Sequence, residues 1–208
     1  MLRRIFLTGS AGTGLALALG RMTGAARAVG AEQQPGEDGL YHQPWFLESF
    51  LDLAEDLNET AAAGKRLAIV WDQRGCPYCK EMHLVNFGDA EITKYVRDNF
   101  NVIQLNLHGA REVTDFDGQV ATEKELARKW GIVFTPTILY YPETVAEVAG
   151  KPGGRADVMR MPGYFRPFHF LSMFAFVRER RYVDTQFQAY IAERAERLRQ
   201  QGKEIKVW

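Results

Sequence analysis

Apolar positions along this chain follow two rhythms, and the alternation between them outlines the elements. Trp45, Phe46, Phe50, Leu51, Leu53, Ala54 and Leu57 recur at helical spacing over residues 45–63 and predict a helix. Leu67-Ala68-Ile69-Val70-Trp71 is a short, wholly apolar run between charged flanks, which suits a buried strand. From Lys80 to Val85 the pattern turns helical again. Asp89 is placed to cap a further helix to Phe100, with Ile92, Tyr95, Val96 and Phe100 on one face. Val102 to Leu107 alternates like a strand. A polar excursion over 108–121 follows, and Thr122 with Glu125 forms a capping-box pattern for a helix ending near Trp130-Gly131.

Thr137 to Tyr141 reads as a strand. Ala146-Glu147-Val148 and Val158 to Met161 are expected to pair as a hairpin across the Gly- and Pro-rich link at 150–154. A helix from Pro167 to about Tyr182 is apolar nearly all round (Phe168, Phe170, Leu171, Met173, Phe174, Phe176, Val177), so both of its sides need covering. The stripe Phe187, Tyr190, Ile191 and Leu198 on a last helix, capped by Asp184 and running to about Gln201, is expected to supply part of that cover. The economical solution for this order is an α/β architecture, a central mixed β-sheet flanked by helices. There are no internal repeats.

At 208 residues and 46% hydrophobic, the chain suffices for one full core. Its formal net charge is zero, but residues 1–28 hold Arg3, Arg4, Arg21 and Arg27 and no acid. The remainder carries 22 basic and 26 acidic residues, a net charge of −4, which makes no electrostatic case for nucleic acid. Two arginines, a weakly apolar stretch from Ile5 to Leu19 and the small-residue site Ala26-Arg27-Ala28 read as an export signal. That stretch is too short and Gly-rich to span a membrane, so no stable membrane insertion is expected after cleavage. Arg3-Arg4-Ile5-Phe6-Leu7 resembles a twin-arginine signal, with Leu2 where Ser or Thr is usual. The expected organisation is a signal at 1–28, a flexible mature N-terminus at 29–44, the main domain at 45–182 and a C-terminal helical extension at 183–208.

Only two cysteines are present, Cys76 and Cys79, three positions apart. A secreted disulfide scaffold needs more of them, spread along the chain, and a structural zinc site needs four ligands. His83 follows by one helical turn, but a fourth ligand has no local candidate, so no metal is expected. A redox pair remains. Cys76-Pro77-Tyr78-Cys79 sits where a buried strand turns into a helix, and at a helix start the unpaired N–H groups and the macrodipole favour an anion. The Cys76 thiolate is such an anion, with a pKa expected below the free value of roughly 8.5. Pro77 suits the first helical turn, and three-residue spacing brings Cys79 onto the face of Cys76. Cys76 is therefore read as the exposed, attacking sulfur and Cys79 as the buried, resolving one.

These residues carry a family resemblance. The tetrad beside Thr135-Pro136-Thr137 resembles the thioredoxin superfamily, in which a cis-proline lies next to the CxxC. Gly75-Cys76-Pro77-Tyr78-Cys79-Lys80, the stretches 112–118 and 123–129, Phe134-Thr135-Pro136-Thr137 and Pro162-Gly163-Tyr164 are similar to periplasmic thioredoxins of the SoxW type, which accompany bacterial sulfur oxidation. The resemblance spans about residues 66–177. It implies a thioredoxin fold, here with an extra C-terminal helix, and periplasmic residence. It further implies reduction of protein disulfides, with reductant supplied by a membrane thiol carrier. It also implies a cis Thr135–Pro136 bond, with Thr135, Pro136, Pro77 and Tyr78 contacting substrate. No bound cofactor is expected, since electrons travel as thiols.

Two departures matter. Gly75 and Pro77-Tyr78 stand where cytosolic thioredoxins have Trp and Gly-Pro, and Val70 stands at the position of their buried acid. Asp72 is a possible proton acceptor for Cys79, although its place before the motif reads first as a solvated turn. The alternatives to a reductase are a disulfide-forming oxidant or isomerase, and a redox-sensing subunit without turnover. Cys-Pro-Tyr-Cys is also the glutaredoxin tetrad, and Gly153 to Asp157 faintly resembles a glutathione-carboxylate site, but a hairpin link is preferred there. Asp115 and Asp117 are read as turn residues rather than calcium ligands. His83 is read as an ordinary helix residue, and Trp71 and Trp130 as core.

Overall fold

The structure is a computed structural model that describes residues 34–203 and 205. The export-signal reading of residues 1–28 lies outside the described residues. In chain order the elements are α1 (Leu53–Ala62), β1 (Arg66–Asp72) and α2 (Pro77–Glu81), which runs on as a π-helical turn (Met82–Asn86). Then come α3 (Ala90–Asn99), β2 (Phe100–Asn106), β3 (Glu112–Thr114), β4 (Val120–Thr122), α4 (Glu123–Trp130) and β5 (Thr137–Tyr140). The last are α5 (Val145–Val148), β6 (Met159–Pro162), α6 (Pro167–Arg178) and α7 (Phe187–Gln200).

Four strands form the central sheet in the order β2-β1-β5-β6. β1 and β2 are parallel, from Arg66 opposite Phe100 to Asp72 opposite Asn106. β5 runs antiparallel to β1, and β6 antiparallel to β5. Because strand side chains alternate, one sequence supplies two cores. Leu67, Ile69 and Trp71 pack with Leu57 of α1 and with Leu126 and Trp130 of α4. Ala68 and Val70 pack on the other face with Met82, Val96 of α3 and Phe174 of α6. Both faces of β1 are thus sealed, which is why its run is apolar throughout.

Local chemistry sets the helix ends. Asp89 accepts from the backbone N–H groups of Glu91 and Ile92 at the start of α3, and Thr122 with Glu125 forms the expected capping box on α4. α7 covers α6 within the same chain, through Phe187 and Tyr190 against Phe176, with ring centroids 5.4 and 5.2 Å apart. Fully buried Arg66 ties the end of α6 to the sheet. Its guanidinium donates to the carbonyls of Tyr141 and Val177, to the Tyr182 hydroxyl and to Glu143.

Several expectations are corrected. α1 begins at Leu53, where Asp52 caps it, and residues 45–51 lie outside any helix, running from a turn at Trp45 to a bend at Leu51. Ala146-Glu147-Val148 is helical, because Thr144 and Glu147 close a capping box. β6 pairs with β5 instead of with that segment. Asp184 ends a 3₁₀ turn (Arg181–Val183), and Gln186 is the residue at the start of α7. The polar excursion contains the β3–β4 hairpin. The N-terminal segment expected to be flexible is, from Asp38 onward, anchored to the domain. Leu40 is buried, His42 and Gln43 are hydrogen-bonded to Gln104 and His83, and Leu47 N–H donates to the Val102 carbonyl on the β2 edge.

Candidate active site

β1 delivers the chain to Asp72, and a tight turn through Gln73, Arg74 and Gly75 leads into α2. Gly75 has φ of +72° with open space where a Cβ would sit, so backbone conformation rather than crowding calls for glycine. Cys76 is the capping residue of α2. Its Sγ accepts from the Cys79 N–H at 3.0 Å, and Pro77 occupies the first turn without losing a hydrogen bond. Cys76 and Cys79 are joined by a disulfide, with Cα atoms 5.2 Å apart. Both sulfur-bearing residues are buried, Cys76 at 6% exposure and Cys79 at 2%. Cys76 is the more accessible, as expected, but it is not openly exposed.

The other wall of the site is the segment entering β5. The Thr135–Pro136 bond is cis, in the form the resemblance implies. The Thr135 carbonyl oxygen and Oγ1 each lie 3.5 Å from Cys76 Sγ. Val133 and Phe134, just before it, are 74% and 63% exposed. Tyr78 is also exposed, and its ring stacks on Tyr164 with centroids 6.3 Å apart at 15°. Burial raises the Tyr164 hydroxyl pKa, and the nearby Glu81 charge adds to that. Pro77 lies exposed beside Tyr78. The structure thus gathers Cys76, Cys79, Thr135 and Pro136 in one place, ringed by exposed apolar side chains. Arg74 is turned away, its Nε donating to the Asp38 carbonyl at 3.2 Å.

Beneath this surface lies a polar cluster that the sequence did not reveal. Asp72, expected as a solvated turn residue, is the last residue of β1 and 1% exposed. It shares the sheet face of Val70, two residues earlier. His83, expected as an ordinary helix position, is fully buried, and its Nε2 lies 3.0 Å from Asp72 Oδ2. Gln104 of β2 donates from Nε2 to the same oxygen at 2.5 Å and to the Tyr41 carbonyl at 2.8 Å. Among the described residues Asp72 Oδ1 has no hydrogen-bond partner. The signal that would have found this group is the phase of Asp72 with Val70, which points it into a packed layer, and the one-turn offset of His83 from Cys79.

The remaining polar candidates are structural. Asp115 accepts from Trp130 Nε1, Phe116 N–H and Gly153 N–H, and Lys129 bridges Asp115 and Asp117. Gly153 lies against the Trp130 ring, where a Cβ would approach to 2.2 Å. Among the described residues no group of three or more His, Cys, Asp or Glu is arranged to hold a metal ion. Among the described residues, too, no helix is long and apolar enough to cross a membrane.

Comparison with known proteins follows the geometry. A thioredoxin-fold protein from Helicobacter pylori superposes with a TM-score of 0.50 at 24% identity, over 64% of this chain and 85% of that one. A thioredoxin from Thermus thermophilus gives 0.45 at 22% identity, over 61% and 83% of the two chains. The oxidised C-terminal domain of Neisseria meningitidis DsbD gives 0.38 at 14%, over 61% and 96%. The first of these likenesses bears on the fold alone, and no curated protein matches the chain. Residues 53–178 match the family model of the thioredoxin-like domain, which covers more than half of the sequence and both walls of the site. With its mixed sheet, its cysteine pair at the β1–α2 junction and the cis bond that follows Thr135 beside it, the chain belongs to the thioredoxin-like domain family.

Proposed function

We propose that this chain is a periplasmic thiol–disulfide oxidoreductase that reduces protein disulfides, of the SoxW type and serving sulfur oxidation. The observation that carries the reading is the Cys76–Cys79 disulfide at the start of α2, with Thr135 held 3.5 Å from Cys76 Sγ. In the reduced protein the Cys76 thiolate, favoured by the helix start, attacks a substrate disulfide. One substrate sulfur joins Cys76 and the other leaves with the electron pair. Cys79, after losing its proton, attacks Cys76 Sγ, closes the disulfide and releases the second substrate thiolate. A membrane thiol carrier then reduces the Cys76–Cys79 disulfide by two electrons and is itself left as a disulfide. Thr135 offers its backbone to the substrate strand, and Pro136 leaves no competing N–H there. Pro77, Tyr78 and the exposed rim at Val133 and Phe134 give that strand an apolar bed. Asp72 is the acceptor for the Cys79 proton.

The proposed direction is supported by the thiolate's surroundings. Strong oxidants stabilise the reduced pair through a cysteine pKa near about 3.5 and reach potentials near about −120 mV. Here Tyr78 brings no positive charge between the cysteines, and the Arg74 guanidinium engages the carbonyls of Glu37 and Asp38. The helix start, with Lys80 flanking the pair, is left to lower the Cys76 pKa moderately. Periplasmic residence is supported by the charge and apolar pattern of residues 1–28. A redox titration of the full mature chain against glutathione tests the direction. A potential below about −200 mV is expected, and one near about −120 mV assigns the protein as a disulfide donor instead.

A further inference from the structure

The unpartnered oxygen of Asp72 calls for an account. A buried acceptor left without a donor destabilises a folded protein, and such groups point to a role. The other oxygen of the same carboxylate is held twice over. His83 lies in the π-helical turn, where the Phe87 N–H reaches back five residues to the Met82 carbonyl. π turns of this kind recur at functional sites. His83 follows Cys79 by four positions on one continuous helix, so both buried residues lie on its inner face, and Asp72 meets that face at His83.

The proton positions follow from partners that can only accept. Gln43 Nε2 lies 3.2 Å from the His83 carbonyl oxygen and 3.2 Å from His83 Nδ1. A carbonyl accepts only, so the amide N–H₂ of Gln43 faces His83, and Nδ1 is an acceptor. Nε2 then carries the proton and donates to Asp72 Oδ2. By the same reasoning Gln104 Nε2, bound to the Tyr41 carbonyl, donates to Asp72. Gln104 Oε1 accepts from His42 Nδ1 at 2.7 Å. Arg111 donates to the Gln104 carbonyl at 2.8 Å and fixes that end of β2.

We propose that Gln43, His83 and Gln104 are positioning residues that hold the Asp72 carboxylate with Oδ2 occupied and Oδ1 reserved for the thiol proton of Cys79. The segment Tyr41-His42-Gln43, which precedes the matched domain, thereby completes the site from behind. The proposal rests on the reading of Cys76 and Cys79 as the working pair. In the resolving step the Cys79 proton passes to Asp72 Oδ1 and the Cys79 sulfur attacks Cys76 Sγ. The Cys76–substrate bond breaks, and its electron pair leaves on the substrate thiolate, which takes a proton from water. When the pair is next reduced, Cys79 departs as the thiolate and recovers the proton from Asp72. The buried site therefore needs no proton exit during turnover. Tyr41, with its ring 6.3 Å from that of His83, is the titratable group stacked on His83, and Phe46 and Phe87 complete its surroundings. Behind Gln104 stand His42 and Asp38, the latter's carboxyl kept below its usual range through hydrogen bonds from Leu40 N–H and His42, against its partial desolvation.

The test uses the reduced full mature chain and a symmetric chromogenic aryl disulfide. Attack by Cys76 releases one coloured thiol, and resolution by Cys79 releases the second, so the two steps are read separately. Gln43→Leu removes a half-buried side chain from the rim, and Asp72→Asn keeps the shape of the acid. Between pH 6 and 7, Gln43→Leu is expected to slow the second release at least about tenfold, and Asp72→Asn about a hundredfold. Both deficits should fade as the pH passes the ordinary thiol value of roughly 8.5, where Cys79 ionises unaided. The first release should keep its wild-type rate. A second release in Gln43→Leu that matches wild type at every pH, or that is slowed equally at every pH, overturns the positioning role and leaves the working pair intact. Absence of the first release in the wild-type chain contradicts the reading of Cys76 itself, and the proposal falls with it.

Discussion

The Thr135 carbonyl oxygen lies 3.5 Å from Cys76 Sγ, which brings the entry to β5 against the start of α2 although 59 residues separate them in sequence. β1 and β5 are sheet neighbours, so the loop after one and the loop before the other open at the same end of the sheet. That arrangement ranks the two sulfurs. Cys76 sits at the capping position with the small exposure the pair retains, and Cys79 is turned into the core. In the reduced protein at neutral pH, iodoacetamide should label Cys76 at least about ten times faster than Cys79. Peptide mapping after brief alkylation checks this, and faster labelling of Cys79 reverses the roles.

The exposed side chains of Val133 and Phe134 flank Thr135 and contribute little to the core. Phe134→Ser should leave the free energy of unfolding unchanged within about 0.5 kcal/mol. It should raise KM for a protein disulfide about fivefold if, as proposed, a folded substrate docks on the apolar rim. Rates with a small aryl disulfide, which needs no docking surface, should not change. Equal losses with both substrates would remove Phe134 from the docking surface.

Asp56 gives the fold a pH dependence of its own. Burial beside the Ser49 hydroxyl, which donates to it at 2.6 Å, lifts its pKa from 3.8 to about 6; the charges of Glu59, Asp52 and Glu55 push the same way, while the Ser49 bond opposes them. Between those values the folded chain holds more protons than the unfolded one. The contribution is therefore complete below about pH 4 and is lost as the pH rises through about 6, a total of at most about 3 kcal/mol. Urea melts at pH 4, 5, 6 and 7 should resolve this slope, and Asp56→Asn should flatten it.

α7 protects the aromatic underside of α6. Tyr190 is fully buried against Phe176, so Tyr190→Ala should cost about 3 kcal/mol or more. Truncation after Val183 should expose Phe176 and its neighbours and drive aggregation, measurable by light scattering. A truncated chain that stays monomeric and equally stable would show that α7 is not needed to cover that face.

What could be read in the sequence was local. The cysteine pair at a strand-to-helix junction, the Asp89 cap and the Thr122–Glu125 box all follow from neighbours within a few positions, and each stands in the structure as expected. The segment Ala146 to Val148 misled because its apolar–polar alternation suits a strand. The Thr144–Glu147 box, present in the same letters, decides for a helix. Asp72, His83 and Gln104 were misread or passed over for another reason. Their meaning depends on three elements packing together, with separations of 11 and 32 residues, and a polar residue at a strand end looks the same solvated or buried. The anchoring of Tyr41 to Gln43 was hidden likewise, because its partners lie about 40 and 63 residues away.

The central claim is that Cys76 attacks and Cys79 resolves, and trapping of mixed disulfides tests it most directly. Reduced Cys79→Ser protein, incubated with a disulfide-bonded protein such as insulin, should accumulate a covalent adduct through Cys76 that a small thiol reverses. Cys76→Ser should form none under the same conditions, and the wild-type chain should turn over without accumulating it. An adduct formed through Cys79 in Cys76→Ser protein, with none through Cys76 in Cys79→Ser protein, would contradict the account.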